Sequence, residues 1–161
     1  MSETRWLTTD QQRAWRGYLA MQAQLNARLS REMAADSELS LPDFAVLVHL
    51  TDVPEGRVRA FELGRALQWE KSRVSHHVAR MERRGLVARE GCNEDGRGAF
   101  VVLTPTGRHA IESAAPPHVD VVRRLVFDSL TDDQVAAMTA ISESVLARLT
   151  QTDEAPADPA P

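Results

Sequence analysis

The feature that most restricts this chain is a change of period between Trp69 and Leu103. In "WEKSRVSHHVARMERRGL", Val74, Val78 and Met81 recur at the spacing of one helical face, with Gly85 next on that side. From Leu86 the pattern becomes strand-like, with Leu86–Gly91 and Ala99–Leu103 flanking the polar tip "NEDGRG". Asp95-Gly96 is a hairpin pair, because a type I′ turn needs positive φ at both central residues. A short helix, "AFELGRAL" (Ala60–Leu67), stands before the basic segment, with Phe61, Leu63, Ala66 and Leu67 expected to face inward. The order predicts helix, turn, helix and a two-stranded wing.

The flanks read as helix. Residues 8–35 carry Trp15, Leu19, Leu25 and Leu29 at near-helical spacing, opened by a capping box at Thr8/Gln11 or Thr9/Gln12. A second helix starts near Ser40, with Pro42 and Asp43 in its first turn and Phe44, Leu47, Val48 and Thr51 as its apolar stripe. Pro54 and Gly56 break the pattern. "TPTG" restarts helix at Thr104–Thr106, and Pro116-Pro117 predicts a kink or break further on. Thr131 with Gln134 caps a last helix that carries Val135, Met138, Ile141, Val145 and Leu149. The fold class is mainly α, a winged helix-turn-helix with further helices on both sides. The acidic, proline-rich end "QTDEAPADPAP" has no apolar face and is expected to be disordered.

Charge is unevenly placed. The chain carries a formal net charge of -4. Residues 57–110 nevertheless hold eleven Arg/Lys against six Asp/Glu, and the rest holds eight against seventeen. A basic third between acidic flanks is either a solvated face or a footprint for a polyanion. On a helix at 3.6 residues per turn, Ser72, His76, Arg80 and Arg83 lie opposite the Val74–Met81 stripe, with Arg73 at the edge of that face. A helix entering the major groove meets base edges with its N-terminal part, which assigns Ser72, Arg73, Ser75 and His76 to that role. Arg80, Arg83 and Arg84 lie further along, where phosphate contact is expected. His77 falls beside the apolar stripe and reads as a core-edge histidine bonded to backbone. In the wing, Arg97 is suited to the narrow minor groove, with Asp95 able to accept from it and fix its direction. For any one arginine, a solvated surface residue is the competing reading.

Together "FELGRAL", "SRVSHHVARMERRGLVARE", "EDGRG" and "VVLTPTG" resemble, in order and spacing, the MarR family of winged helix-turn-helix transcriptional regulators. The resemblance covers roughly residues 10–150. It departs at Glu70, where a Ser or Thr cap is usual, and at Pro116-Pro117, which interrupt what is commonly one long helix. It implies a homodimer that reads near-palindromic double-stranded DNA, a repressor released by a small, often aromatic or phenolic, ligand. It implies a dimerisation helix over residues 1–36, a DNA-binding module over 37–104, dimerisation helices over 105–150 and a tail over 151–161. The positions carried over for DNA are Ser72, Arg73, Ser75, His76, Arg80 and Arg97.

For the ligand, Trp15, Tyr18, Phe44, His49 and His118 either line a cavity with polar handles or belong to the core. Arg13 and Arg16 are candidates to pair with a carboxylate ligand. Cys92 is the only cysteine, which rules out an intrachain disulfide; Glu94 and Asp95 nearby disfavour its thiolate. The five histidines have no metal-type spacing within one helix, so no metal or cofactor is expected. No nucleophile–base pairing or glycine-rich phosphate loop suggests an enzyme. No apolar run is long enough to span a bilayer and the N-terminus is polar, so the expected location is cytoplasmic, without membrane contact. The competing class is a winged-helix module that binds protein without a ligand response.

Overall fold

The chain was analysed as a computed structural model, which describes residues 4–91 and 99–153. Cys92, Asp95, Gly96 and Arg97, and with them the hairpin turn, lie outside the described residues. The chain divides into two compact units between Val121 and Val122.

In the first unit, α1 (Thr9–Asp36) and α2 (Leu41–Asp52) come first. A short 3-10 turn, Pro54–Gly56, leads into β1 (Arg57–Arg59), α3 (Ala60–Leu67) and α4 (Lys71–Arg83). Then come β2 (Val87–Glu90), β3 (Phe100–Leu103) and α5 (Pro105–Leu125), whose last turn belongs to the second unit. Thr8 and Gln11 form the capping box of α1, and Ser40 and Asp43 that of α2. The strands form one antiparallel sheet in the order β1-β3-β2. The sequence pattern predicts two of them. The third, β1, is three residues long inside a turn-rich stretch, too short for periodicity to mark.

The core gathers Val46, Leu47 and Leu50 from α2, Leu63 from α3, and Val74, Val78 and Met81 from α4, with Val87, Val101 and Ile111. Truncating a leucine buried as fully as Leu47 costs about 2–5 kcal/mol. Two inward faces differ from expectation. In α2, Asp43, Val46, Leu47 and Leu50 are buried, Phe44 and Val48 only partly, and Thr51 is exposed. This helix is apolar almost all round, so period alone does not choose a side; Asp43, drawn inward by partners on the α4 side, does. In α3, Leu63 and Gly64 face inward while Phe61 and Ala66 are exposed. The reason is a close approach: a Cβ on Gly64 would lie 3.0 Å from the Trp69 carbonyl and 3.2 Å from Val74 Cγ2. Helix α3 therefore turns its glycine, not Phe61, toward α4.

Gly85 closes α4. It sits at φ +72°, the left-handed region that favours glycine. Its N–H donates to Glu82 and that of Leu86 to Met81, a Schellman ending. Thr104 then caps α5, accepting from the Gly107 N–H at 3.0 Å, with its hydroxyl 2.6 Å from the Gly85 carbonyl. Helix α5 runs through Pro116-Pro117 without the expected break. Each proline withdraws one N–H, but the carbonyls left over belong to Glu112 and Ser113, which are exposed and open to water. Buried Ile111, Ala114 and Val121 hold the helix on either side of the pair.

The second unit comprises residues 122–153, with a 3-10 turn, Phe127–Ser129, and α6 (Asp132–Asp153). Thr131 and Gln134 form the expected cap, at 2.9 and 3.3 Å. Helix α6 extends three residues into the segment expected to be a tail. Its residues Met138, Ile141, Val145 and Leu149 form the expected stripe, and all are exposed.

Candidate nucleic-acid interface

Helix α4 starts without a side-chain cap at Glu70. Its Val74, Val78 and Met81 are buried in the core. The same helix therefore turns Ser72, Arg73, Ser75, His76, Arg80 and Arg83 to solvent, and all six are exposed. The two neighbouring histidines separate as the helical wheel requires, His76 outward and His77 inward.

His77 is bonded differently from the expectation. Its partner is a side chain, not backbone. Nε2 lies 2.9 Å from Asp43 Oδ1, although that oxygen stands off the line of the ring N–H. Nδ1 lies 3.0 Å from the Arg80 guanidinium. Arg84 donates to Asp43 Oδ2 at 2.7 Å and to the Glu38 carbonyl at 2.5 Å. Burial alone would raise the Asp43 carboxyl; the adjacent His77 ring nitrogen and hydrogen bonds from Ser40 and Arg84 outweigh it and hold the group well below the usual carboxylate range. Asp43 thus ties the α2 N-terminus to the middle of α4 and to its C-terminal cap. Sequence reading sees Asp43 only as a first-turn acid, because Arg84 stands 41 residues away.

Trp69, just before α4, carries the Arg73 guanidinium over its ring at 4.3 Å and meets the His77 ring edge-on at 5.1 Å. At the base of the wing, Arg57 and Arg59 lie over the Phe100 ring at 3.9 and 4.4 Å, and Arg57 pairs with Glu90 at 3.5 Å. These basic side chains belong to β1 and escaped the sequence reading, because a three-residue Arg-Val-Arg alternation is too short to mark a strand. Arg89 holds Glu82 at 2.7 Å, which keeps that carboxyl below its ordinary range and braces β2 on α4.

The residues proposed for a ligand do not converge. Trp15 and Tyr18 stack on an exposed face of α1, with ring centres 5.7 Å apart. Phe44 and His118 touch at 4.5 Å, and burial lowers the His118 pKa. His49 is half-buried on α2. His118 borders a void of only about 10 Å³. An open cleft of about 510 Å³ adjoins it in the first unit, between the end of α1, the start of α5 and Arg84, with Ser37, Leu86, His109 and Ser113 in its wall. Among the described residues no three His, Cys, Asp or Glu groups converge as a metal site, and no helix is long and apolar enough to cross a membrane.

The arrangement has known counterparts. The sequence pattern of the MarR family matches residues 37–98. AbsC, a MarR family transcriptional regulator from Streptomyces coelicolor, is 35% identical and superposes with a TM-score of 0.85, over 92% of this chain and 99% of AbsC. This chain belongs to the MarR family. It is a transcriptional regulator and not an enzyme. A second MarR regulator of that organism, Sco3205, solved in complex with DNA, is 38% identical with a TM-score of 0.85, over 91% of each chain. The Escherichia coli transcriptional regulator HosA is 29% identical over 112 residues, 70% of this chain and 75% of HosA. The three-stranded sheet behind α4 is this MarR chain's winged-helix framework.

Proposed function

We propose that this MarR regulator is a homodimer that binds near-palindromic double-stranded DNA as a repressor and lets go on binding a small ligand. The observation that carries the reading is α4, whose outer face is entirely polar or basic while its inner face is locked in the core. Sco3205 in its DNA complex supports it by likeness. Ser72, Arg73, Ser75 and His76 take base edges, Arg80 and Arg83 take phosphate, and Arg97 with Asp95 serves the minor groove. Residues 37–104 form the reading module, and the helices over 1–36 and 105–150 join the two copies. Large exposed apolar side chains on α1 and α6 support that pairing. Two-fold symmetry then asks for half-sites roughly 34–36 Å apart.

For the effector, the cavity beside Arg84 has the size and the mixed lining of a small-molecule site. His118, whose small void shares Asp36, Ser37 and Ala114 with this cleft, remains a candidate beside it, while Trp15, Tyr18, Phe44 and His49 have weaker support as a lining.

Fluorescence anisotropy tests the DNA reading, on a duplex that the full chain selects from a random library. Affinity should fall steeply with salt, as displaced counterions are released. Absent or salt-independent binding overturns the reading in favour of a protein-interaction module. Screening small aromatic acids for release of the bound duplex tests the effector.

A further inference from the structure

Two arginines on the outer face of α4 are already held before any DNA arrives. Arg80 is bonded to His77 Nδ1 at 3.0 Å. Arg73 lies over the Trp69 ring at 4.3 Å. The two supports touch each other, since the Trp69 and His77 rings meet at 5.1 Å and 75°. His77 in turn stands against Asp43, which is buried, bonded to Ser40 and Arg84, and 2.9 Å from His77 Nε2.

Arginine only donates, so the bond from Arg80 requires a bare Nδ1 on His77. The ring proton then sits on Nε2, on the side of the Asp43 carboxylate. One buried acid therefore selects the tautomer that Arg80 needs. A long side chain that is free in solution surrenders its rotamer freedom on docking, whereas one already held has lost it during folding.

We propose that His77 and Trp69 are positioning residues of the recognition helix: Asp43 fixes the His77 tautomer, His77 aims Arg80, and Trp69 carries Arg73. Neither ring touches DNA, and both guanidiniums meet the duplex in a set direction. This inference rests on the DNA-binding reading above. It implies that removing the Trp69 support of Arg73, a base reader, weakens the selected duplex more than a random one, whereas removing the His77 support of Arg80, a phosphate contact, weakens both.

The test uses the full chain and its selected duplex. His77→Leu should weaken selected-duplex binding roughly tenfold, within the rotamer freedom of one long side chain. His77→Gln should recover most of it, since its amide can donate to Asp43 and accept from Arg80. His77→Leu added to Arg80→Ala should be no worse than Arg80→Ala alone. Additive losses, or no rescue by glutamine, overturn the proposal. Should His77→Leu fail to fold, nitrogen-15 spectra of the parent decide. They should show a protonated Nε2 and a bare Nδ1 on His77, and the Nδ1 signal should move in Arg80→Ala. A proton on Nδ1, or an unmoved signal, overturns the proposal. If the parent selects no duplex, the DNA reading fails; the ring-nitrogen spectra distinguish that failure from failure of the His77 support.

Discussion

Helices α4 and α6 carry the same kind of apolar stripe and end in opposite states. Val74, Val78 and Met81 of α4 keep 3%, 2% and 0% of their exposure. Met138, Ile141, Val145 and Leu149 of α6 keep 41%, 65%, 54% and 58%. A helical period announces that a face has a partner; it does not say on which chain the partner stands. For α4 the partner is the core of its own module. For α6 the homodimer proposed above draws the partner from a second copy. The difference also separates two kinds of stability. The module is held by its own packing and by the buried Asp43 network, whereas a dimer's cohesion depends on protein concentration.

The sharpest break of this comparison is Asp43→Asn. It removes the charge that Arg84 and His77 face, and urea unfolding should show a loss of about 3 kcal/mol. The pH profile should change with it. The folded Asp43 carboxyl lies below its unfolded value, so its contribution is present above the usual carboxylate pKa and is lost as pH falls through that range toward the folded one. Asp43→Asn should flatten this acid limb; an unchanged limb would assign it to other carboxylates.

On the other side of the comparison, the double change Ile141→Asp, Leu146→Asp should turn a dimer into a monomer in sedimentation velocity, with the helix content of the module retained. An unaltered mass would remove α6 from the dimer interface. A smaller effect is expected for Arg83→Ala, exposed near the end of α4. It should weaken all duplexes alike and lower the salt slope by about one; a change confined to one base position would make Arg83 a base reader. The smallest is Ser40→Ala. Ser40 accepts from the Asp43 N–H at 3.2 Å, and losing this cap should cost about 1 kcal/mol in urea unfolding. A loss as large as that of Asp43→Asn would mean that Ser40 orients the carboxylate itself.

Much of the fold was legible locally. The caps at Thr8 and Thr131 are short-range patterns, and each side chain bonds three residues on. The split between His76 and His77 follows from helical geometry alone. What escaped was long-range. Phe61 points out because Gly64 lets α3 approach α4, and β1 is visible only through its pairing with β3. The prolines of α5 stop no helix; the carbonyls they strand belong to exposed residues, Glu112 and Ser113. Of the candidate DNA residues, those on α4 share one exposed face, whereas Asp95 and Arg97 lie outside the described residues.

The sequence by itself determined the order of the helices and of the two wing strands, the polar face of α4 and the family, because period, caps and turn residues act within a few positions of one another. Only the tertiary structure decided which face of α2 turns inward, that His77 answers to a carboxylate, and that Arg73 and Arg80 are held. The first two depend on the meeting of Asp43 with His77 and Arg84, contacts too distant in sequence to leave a local pattern; the last depends on how the Trp69 and His77 rings pack against each other.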